Sequence, residues 1–267
     1  MNFARVWAVI DRELTEVRKN RTLLIAIFFP PLILTFLPLG VMALMGTAPE
    51  RSNTTGEDIR RYMEVFPELA GMSSIEVVQV VLMRQFLVMY LMLPVIIPTA
   101  IATASIIGEK ESRSLEPLLA TPIRTEELLA AKSIAALAPA ILTTWFAYVV
   151  FFVGARFVAL SDRVFAQLLS PLWILAILLL SPLLSLLSIS LSVLISSRVN
   201  DARVAQQVAG LLVLPVIALA VGQTLGLVFL NYVTFAVAVF ILCLVNIGVL
   251  YAGVQLFQRE QILTRWK

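Results

Sequence analysis

The residues with the most chemistry to offer are nine charged side chains within residues 108–132: Glu109, Lys110, Glu111, Arg113, Glu116, Arg124, Glu126, Glu127 and Lys132. Mixed carboxylates and cations over so short a stretch pair with complementary charges on another surface. They are isolated in this chain. Residues 22–49, 85–108, 133–155, 164–197 and 204–258 hold no Asp, Glu, Lys or Arg. A patterned charged insert between such runs reads as a place where something soluble docks. The competing reading is an ordinary amphipathic loop lying along a membrane interface.

The insert, GEKESRSLEPLLATPIRTEELLAAK, has local order of its own. Ser114 is a good helix N-cap before Leu115. Leu115, Leu118 and Leu119 fall at i, i+3 and i+4 and so share one helical face. Glu116 stands in the first turn, where the helix dipole favours negative charge. Pro122 biases Thr121 away from helical geometry and stops the run. Thr125 then starts another helix, with Glu126 and Glu127 in its first turn. The spacing predicts a short helix over residues 115–120, a break, and a return into the apolar phase.

Several chemistries are excluded by what is absent. No GxxxxGK[ST] occurs, so this chain cannot cradle nucleotide phosphates with a P-loop. There is no histidine, which removes HExxH sites, histidine-ligated metals and His-based triads. Adjacent Glu126 and Glu127 lie in the charged insert without a histidine partner. No catalytic residue and no metal site is expected. The apolar runs also lack ionisable groups, which proton- and ion-coupled secondary transporters generally need at membrane depth. Energy for any transport would then come from outside the bundle. A secondary transporter, or a membrane scaffold that transports nothing, stays open as the alternative.

The elements that position the insert follow from composition. The chain is 60% hydrophobic and 14% charged, with a mean hydropathy of +0.95. That is a membrane protein's composition. The uncharged runs exceed the roughly 20 residues that cross a bilayer as a helix. Residues 204–258 are long enough for two spans, with a turn at Asn231-Tyr232. Six spans result, over 23–46, 85–107, 133–155, 171–196, 206–230 and 233–256. Both termini then lie on one side. With the termini inside, inner segments hold fourteen Lys and Arg and outer segments six, so the positive-inside rule places termini and insert in the cytoplasm. The modest net charge of +3 is explained by these residues near the bilayer, and no nucleic acid is implied.

Residues 1–22 form an amphipathic unit. Phe3, Trp7, Ile10, Leu14 and Val17 share one face, while Arg5, Asp11, Arg12, Glu16 and Lys19 lie elsewhere. This is an interfacial helix, either an elbow that flanks a docked partner or a passive anchor. Residues 23–267 form one six-helix domain, with an outer loop over 47–84 and the cytoplasmic loop over 109–132. Ser73 with Glu76 makes a capping box, so a helix starts there and runs into the second span. Interior prolines, among them Pro30, Pro38, Pro94, Pro98, Pro139, Pro182 and Pro215, can each kink a span. Ser181, Ser185, Ser188, Ser192 and Ser196 mark one face of the fourth span, and Thr99 and Thr103 a smaller stripe on the second. Small polar residues let helices approach closely; such a stripe packs helices or lines a translocation path.

The insert also carries a resemblance. Glu109-Lys110-Glu111, Leu115-Glu116-Pro117-Leu118-Leu119 and Thr121-Pro122 resemble the loop between the second and third spans of ABC transporter permeases of the type-2 exporter family. Ser196-Ser197-Arg198 with Ala205-Gln206-Gln207 is similar to that family's loop between the fourth and fifth spans, and Phe257-Gln258-Arg259-Glu260 to its C-terminus. The resemblance spans nearly the whole chain. It implies an all-α permease in the cell membrane, with a cytoplasmic coupling helix that seats in an ATPase subunit. Glu109, Glu111, Leu115, Glu116, Leu118, Leu119, Thr121 and Pro122 would form the ATPase-docking set. ATP and Mg would be bound by two copies of that separate ATPase, with no cofactor in this chain. A second permease subunit, identical or not, would complete the exporter. A path without fixed charge favours an amphipathic or hydrophobic substrate.

Overall fold

The computed structural model describes residues 3–47, 63, 66–69, 71–111, 125–199, 201–224 and 231–256. Among the described residues the chain is all-helical, without strands. Six stretches of the described residues are long and apolar enough to cross a membrane: Arg21–Thr47, Ser74–Gly108, Ala130–Val158, Asp162–Ser196, Arg203–Gln223 and Tyr232–Gly253. The chain is a multi-pass membrane protein.

Helix α1 (Phe3–Lys19) stops where Asn20 begins the next helix. The Asn20 side-chain oxygen accepts from the backbone N–H of Thr22 at 3.0 Å and of Leu23 at 3.2 Å, which caps α2 (Arg21–Thr47). Beyond α2, Ser73 and Glu76 form the expected box: the Glu76 carboxylate accepts from the Ser73 N–H at 2.7 Å while the Ser73 hydroxyl caps the Glu76 N–H. Helix α3 (Ser74–Tyr90) therefore starts well before residue 85, and the second membrane run is longer than its uncharged core. Arg84 is carried on this helix, which begins at the expected box and continues toward the second span.

The prolines divide into two groups. Pro30, Pro31 and Pro38 lie inside α2, Pro98 inside α4 (Leu93–Glu111) and Pro139 inside α5 (Thr125–Val158), all in unbroken helices. Pro94, Pro182 and Pro215 coincide with changes of hydrogen bonding. A proline ring clashes with the carbonyl four residues back. For Pro94 that residue is Tyr90, the last of α3, and a turn at Leu91-Met92 follows. For Pro215 it is Leu211, and a turn at Leu211-Leu212 separates α9 (Ala202–Gly210) from α10 (Val213–Thr224). For Pro182 it is Leu178, inside a π-helical turn, Ala176–Leu180. That turn joins α7 (Pro171–Leu175) to α8 (Ser181–Arg198), and α6 (Asp162–Leu168) precedes both. The fourth run thus starts at Asp162, earlier than residue 171, and is jointed.

Helix α8 is central. It packs most extensively on α4, then on the last helix α11 (Tyr232–Leu256), on α5 and on α9. Helix α2 lies along α5, where a Cβ added to Gly154 would come within 2.5 Å of a Leu39 methyl, so glycine permits the close approach. Inside a bilayer, lipid tails are as apolar as leucine, and helices associate through close packing and interhelical hydrogen bonds. The buried alanines Ala136, Ala140, Ala147 and Ala155 of α5 supply the first. The Thr35 and Tyr90 hydroxyls, 2.9 Å apart and buried between α2 and α3, supply the second. The Tyr90 ring stands edge-on to Tyr148 and packs against Phe151.

Candidate functional site: the base of the charged loop

Helix α4 ends at Glu111 and α5 begins at Thr125, so the two legs of the charged loop are both placed. Glu109 and Glu111 fall in the last turn of α4. The segment that joins the legs, with Leu115, Glu116, Leu118, Leu119, Thr121 and Pro122, lies outside the described residues, as does the helix expected there. What is placed is the base on which that segment stands, and α1 is part of it.

The buried side of α1 is Val6, Val9, Ile10, Glu13 and Val17. Val6, Val9 and Ile10 pack with Leu128, Ala131 and Ala135 of α5 in a small apolar cluster of their own. Phe3 and Trp7 are exposed, at 78% and 61%. The expected single apolar face is therefore two adjacent faces: one lies against protein, and the other, led by Phe3 and Trp7, stays open. The turn of the helix that brings the first face inward also buries Glu13.

Glu13 sits between Val9 and Val17 at helical spacing, in the middle of the buried face. Its carboxylate meets the Lys132 ammonium at 2.7 Å, with the two side chains only 4% and 8% exposed. Lys132 also donates to the Ser105 hydroxyl of α4 at 2.6 Å. One cation thus joins α1, α4 and α5 below the loop. Ser105 lies near the end of one leg and Lys132 near the start of the other. Glu127, one turn before Ala131, is buried as well. Beside the pair, a cleft of about 230 Å³ opens between α1 and α4, lined by Arg12, Glu13, Glu16 and Asn20 on one side and Ile101, Ala104 and Ser105 on the other. Arg12 and Glu16 form an exposed i, i+4 pair at its rim, 2.9 Å apart. An exposed pair of this kind contributes only about 0.3–0.5 kcal/mol.

By residue type alone Glu13 gives no sign of burial, because an acidic residue in an amphipathic helix normally marks the wet side. The signal that does point to it is register, in phase with Val6, Ile10 and Val17. Lys132 closes the charged insert in sequence, yet its side chain points back into the bundle.

The other candidate residues are placed more simply. Ser181, Ser185, Ser188, Ser192 and Ser196 are all at most 1% exposed, within the chain itself. Thr99 and Thr103 of α4 are each 2% exposed. The Ser181 hydroxyl donates to the Ile177 carbonyl at 2.5 Å and accepts from the Trp145 indole at 3.0 Å, which ties the π-turn to α5. Thr103 donates to the Thr99 carbonyl at 2.7 Å. The hydroxyls of Ser185, Ser188, Ser192 and Thr99 have no hydrogen-bond partner among the described residues.

A second polar cluster occupies the end of the bundle away from α1. The Gln79 amide donates to the Val158 carbonyl at 3.0 Å and its oxygen accepts from the Leu160 N–H at 2.9 Å, closing the C-terminal end of α5. Arg84 donates to Gln167 at 2.7 Å and lies over the Phe66 ring at 4.3 Å. Its ion pair with Glu68 is longer, 3.4 Å. Neither Gln79 nor Arg84 stands out in the sequence, since both precede the uncharged run.

The arrangement holds no catalytic constellation among the described residues. It is three helices joined through one buried cation, at the foot of the charged segment. A model of the ABC-2 family of transporter proteins matches residues 7–238, from within α1 to within α11. No curated protein matches the chain.

Proposed function

The chain belongs to the ABC-2 family of transporter proteins, and from that premise we propose that it is the permease subunit of an ATP-driven exporter whose ATPase is a separate chain. The observation that carries this reading is the family match across the membrane helices and α1 together, in a chain without a P-loop. Two ATPase subunits engage two permease subunits, the second being an identical chain. Both termini and the loop face the cytoplasm, as the Lys and Arg distribution favours.

In this mechanism ATP closes the ATPase dimer, and closure pushes on residues 115–120. Leu115, Leu118 and Leu119 anchor in an apolar groove of the ATPase. Glu109, Glu111 and Glu116 orient it through charge. The push biases a two-state bundle between inward-open and outward-open arrangements. The spans offer apolar, Ser, Thr and aromatic surface with few fixed charges, which supports an amphipathic or hydrophobic substrate.

The test is co-purification from native membranes in mild detergent. A stoichiometric P-loop ATPase is expected with the wild-type chain and lost with Leu118→Asp. A folded, membrane-inserted protein with no ATPase partner would overturn the proposal in favour of a secondary transporter or scaffold.

A further inference from the structure

We propose that Glu13, Lys132 and Ser105 form a transmission pin, a set of positioning residues that makes α1 and both legs of the charged loop move as one body. The inference deepens the ATPase-coupled reading above and rests on it for the source of the motion. Its own evidence is geometric. Lys132 bonds Glu13 and Ser105 at 2.7 and 2.6 Å, and these residues come from three separate helices. Ser105 is less than two turns from the end of α4, and Lys132 about two turns from the start of α5. A force on the loop reaches the bundle through those two legs.

Burial argues for a role beyond fastening. Removing two charges from water is costly, and well-packed apolar residues of similar size often hold elements together equally well. The apolar cluster of Val6, Val9, Ile10, Leu128, Ala131 and Ala135 already fastens α1 to α5. What an ion pair adds is register. Apolar surfaces can slide by a turn with little loss, whereas a buried carboxylate and ammonium are satisfied in one alignment. The cleft beside the pair leaves α1 less closely packed along α4, and the pin is a polar tie across it. With the pin intact, loop displacement turns α1, α4 and α5 together. With it broken, α1 and the legs can slip, and the push dissipates before it reaches the far end.

The experiment uses the full chain with its co-purified ATPase, in a background carrying Cys243→Ser. Spin labels replace Phe157 and Tyr232, both exposed and both at the end away from α1. Their separation is measured with and without ATP and vanadate, alongside the ATP hydrolysis rate. If no ATPase co-purifies with wild type, the coupled reading fails before the pin is tested. If it does, wild type should show a nucleotide-dependent change in separation. Glu13→Gln and Lys132→Gln should retain the ATPase and its hydrolysis. They should reduce the shifted population about tenfold, a size typical of coupling between sites.

The charge swap Glu13→Lys with Lys132→Glu should restore the response, since a serine hydroxyl can donate as readily as accept. The apolar pair Glu13→Leu with Lys132→Met covers the case in which single variants fail to assemble. It should restore assembly and thermal stability but not the distance change. Full recovery of the change by the apolar pair would reduce Glu13 and Lys132 to fasteners and overturn the proposal. So would an unchanged response in an assembled Glu13→Gln complex.

Discussion

Two buried polar regions of this bundle are built on opposite terms. At the base of the charged loop, Glu13, Lys132 and Ser105 satisfy one another at 2.6–2.7 Å. Along α8, Ser185, Ser188 and Ser192 are buried as deeply, and their hydroxyls have no partner among the described residues. The difference follows from the cost of what is buried. A lone charge in a low-dielectric interior is so unfavourable that it occurs paired or not at all. An unpaired hydroxyl costs far less, and its small volume lets a neighbouring helix close in. The charged pair thus fixes which helices meet, whereas the serine face is compatible with close helix packing and with a path.

The largest effect expected from breaking this contrast comes from Lys132→Met. It leaves Glu13 as an uncompensated buried carboxylate, which costs roughly 3–5 kcal/mol. Thermal unfolding in detergent should show a greater loss than Ser188→Leu, Gln79→Leu or Ser192→Ala produces. A melting temperature equal to wild type would mean that the pair is not buried in the folded protein.

Next comes Ser188→Leu, which forces a larger side chain into the interface of the central helix. Overpacking of this kind costs about 1–3 kcal/mol. If the serine face packs helices, stability and assembly fall with transport. If it lines a path, export fails while stability holds. A comparable loss is expected for Gln79→Leu, which strips the Val158 carbonyl and the Leu160 N–H of their partner and leaves groups costing about 1–3 kcal/mol each when buried. Hydrogen exchange should then rise at the end of α5 more than at the loop base. Equal exchange at both ends would show that the residue caps nothing locally.

Ser192→Ala should do least, within about 0.5–1 kcal/mol of wild type, because it removes a hydroxyl without a partner and creates little space. A loss matching that of Lys132→Met would show that the serine face makes bonds as costly to break as the ion pair.

Much of this is legible in the sequence, for reasons that can be named. Uncharged runs must be helices in lipid, because no other open structure satisfies their backbone. The Ser73–Glu76 box is local chemistry over one turn, and α3 starts where that box requires. Each interior proline can kink its span, and the prolines differ in what accompanies them. Pro98 and Pro139 lie in unbroken helices, whereas Pro94, Pro182 and Pro215 mark joints. The ring supplies the clash in every case, and tertiary packing decides where the helix gives way. Arg84 is not legible in this way, because a charge ordinarily ends a span. Its guanidinium finds Gln167, 83 residues away, and the face of Phe66, and only the fold brings these together.

By itself the sequence determined the long apolar helices and the place of the charged insert at residues 108–132. Each depends on hydropathy and hydrogen bonding within a few turns of chain. Only the tertiary structure decided which side of α1 faces protein, and so that Glu13 is buried. Two adjacent apolar faces are equivalent until a partner chooses between them, and here the partner is Lys132, 119 residues away.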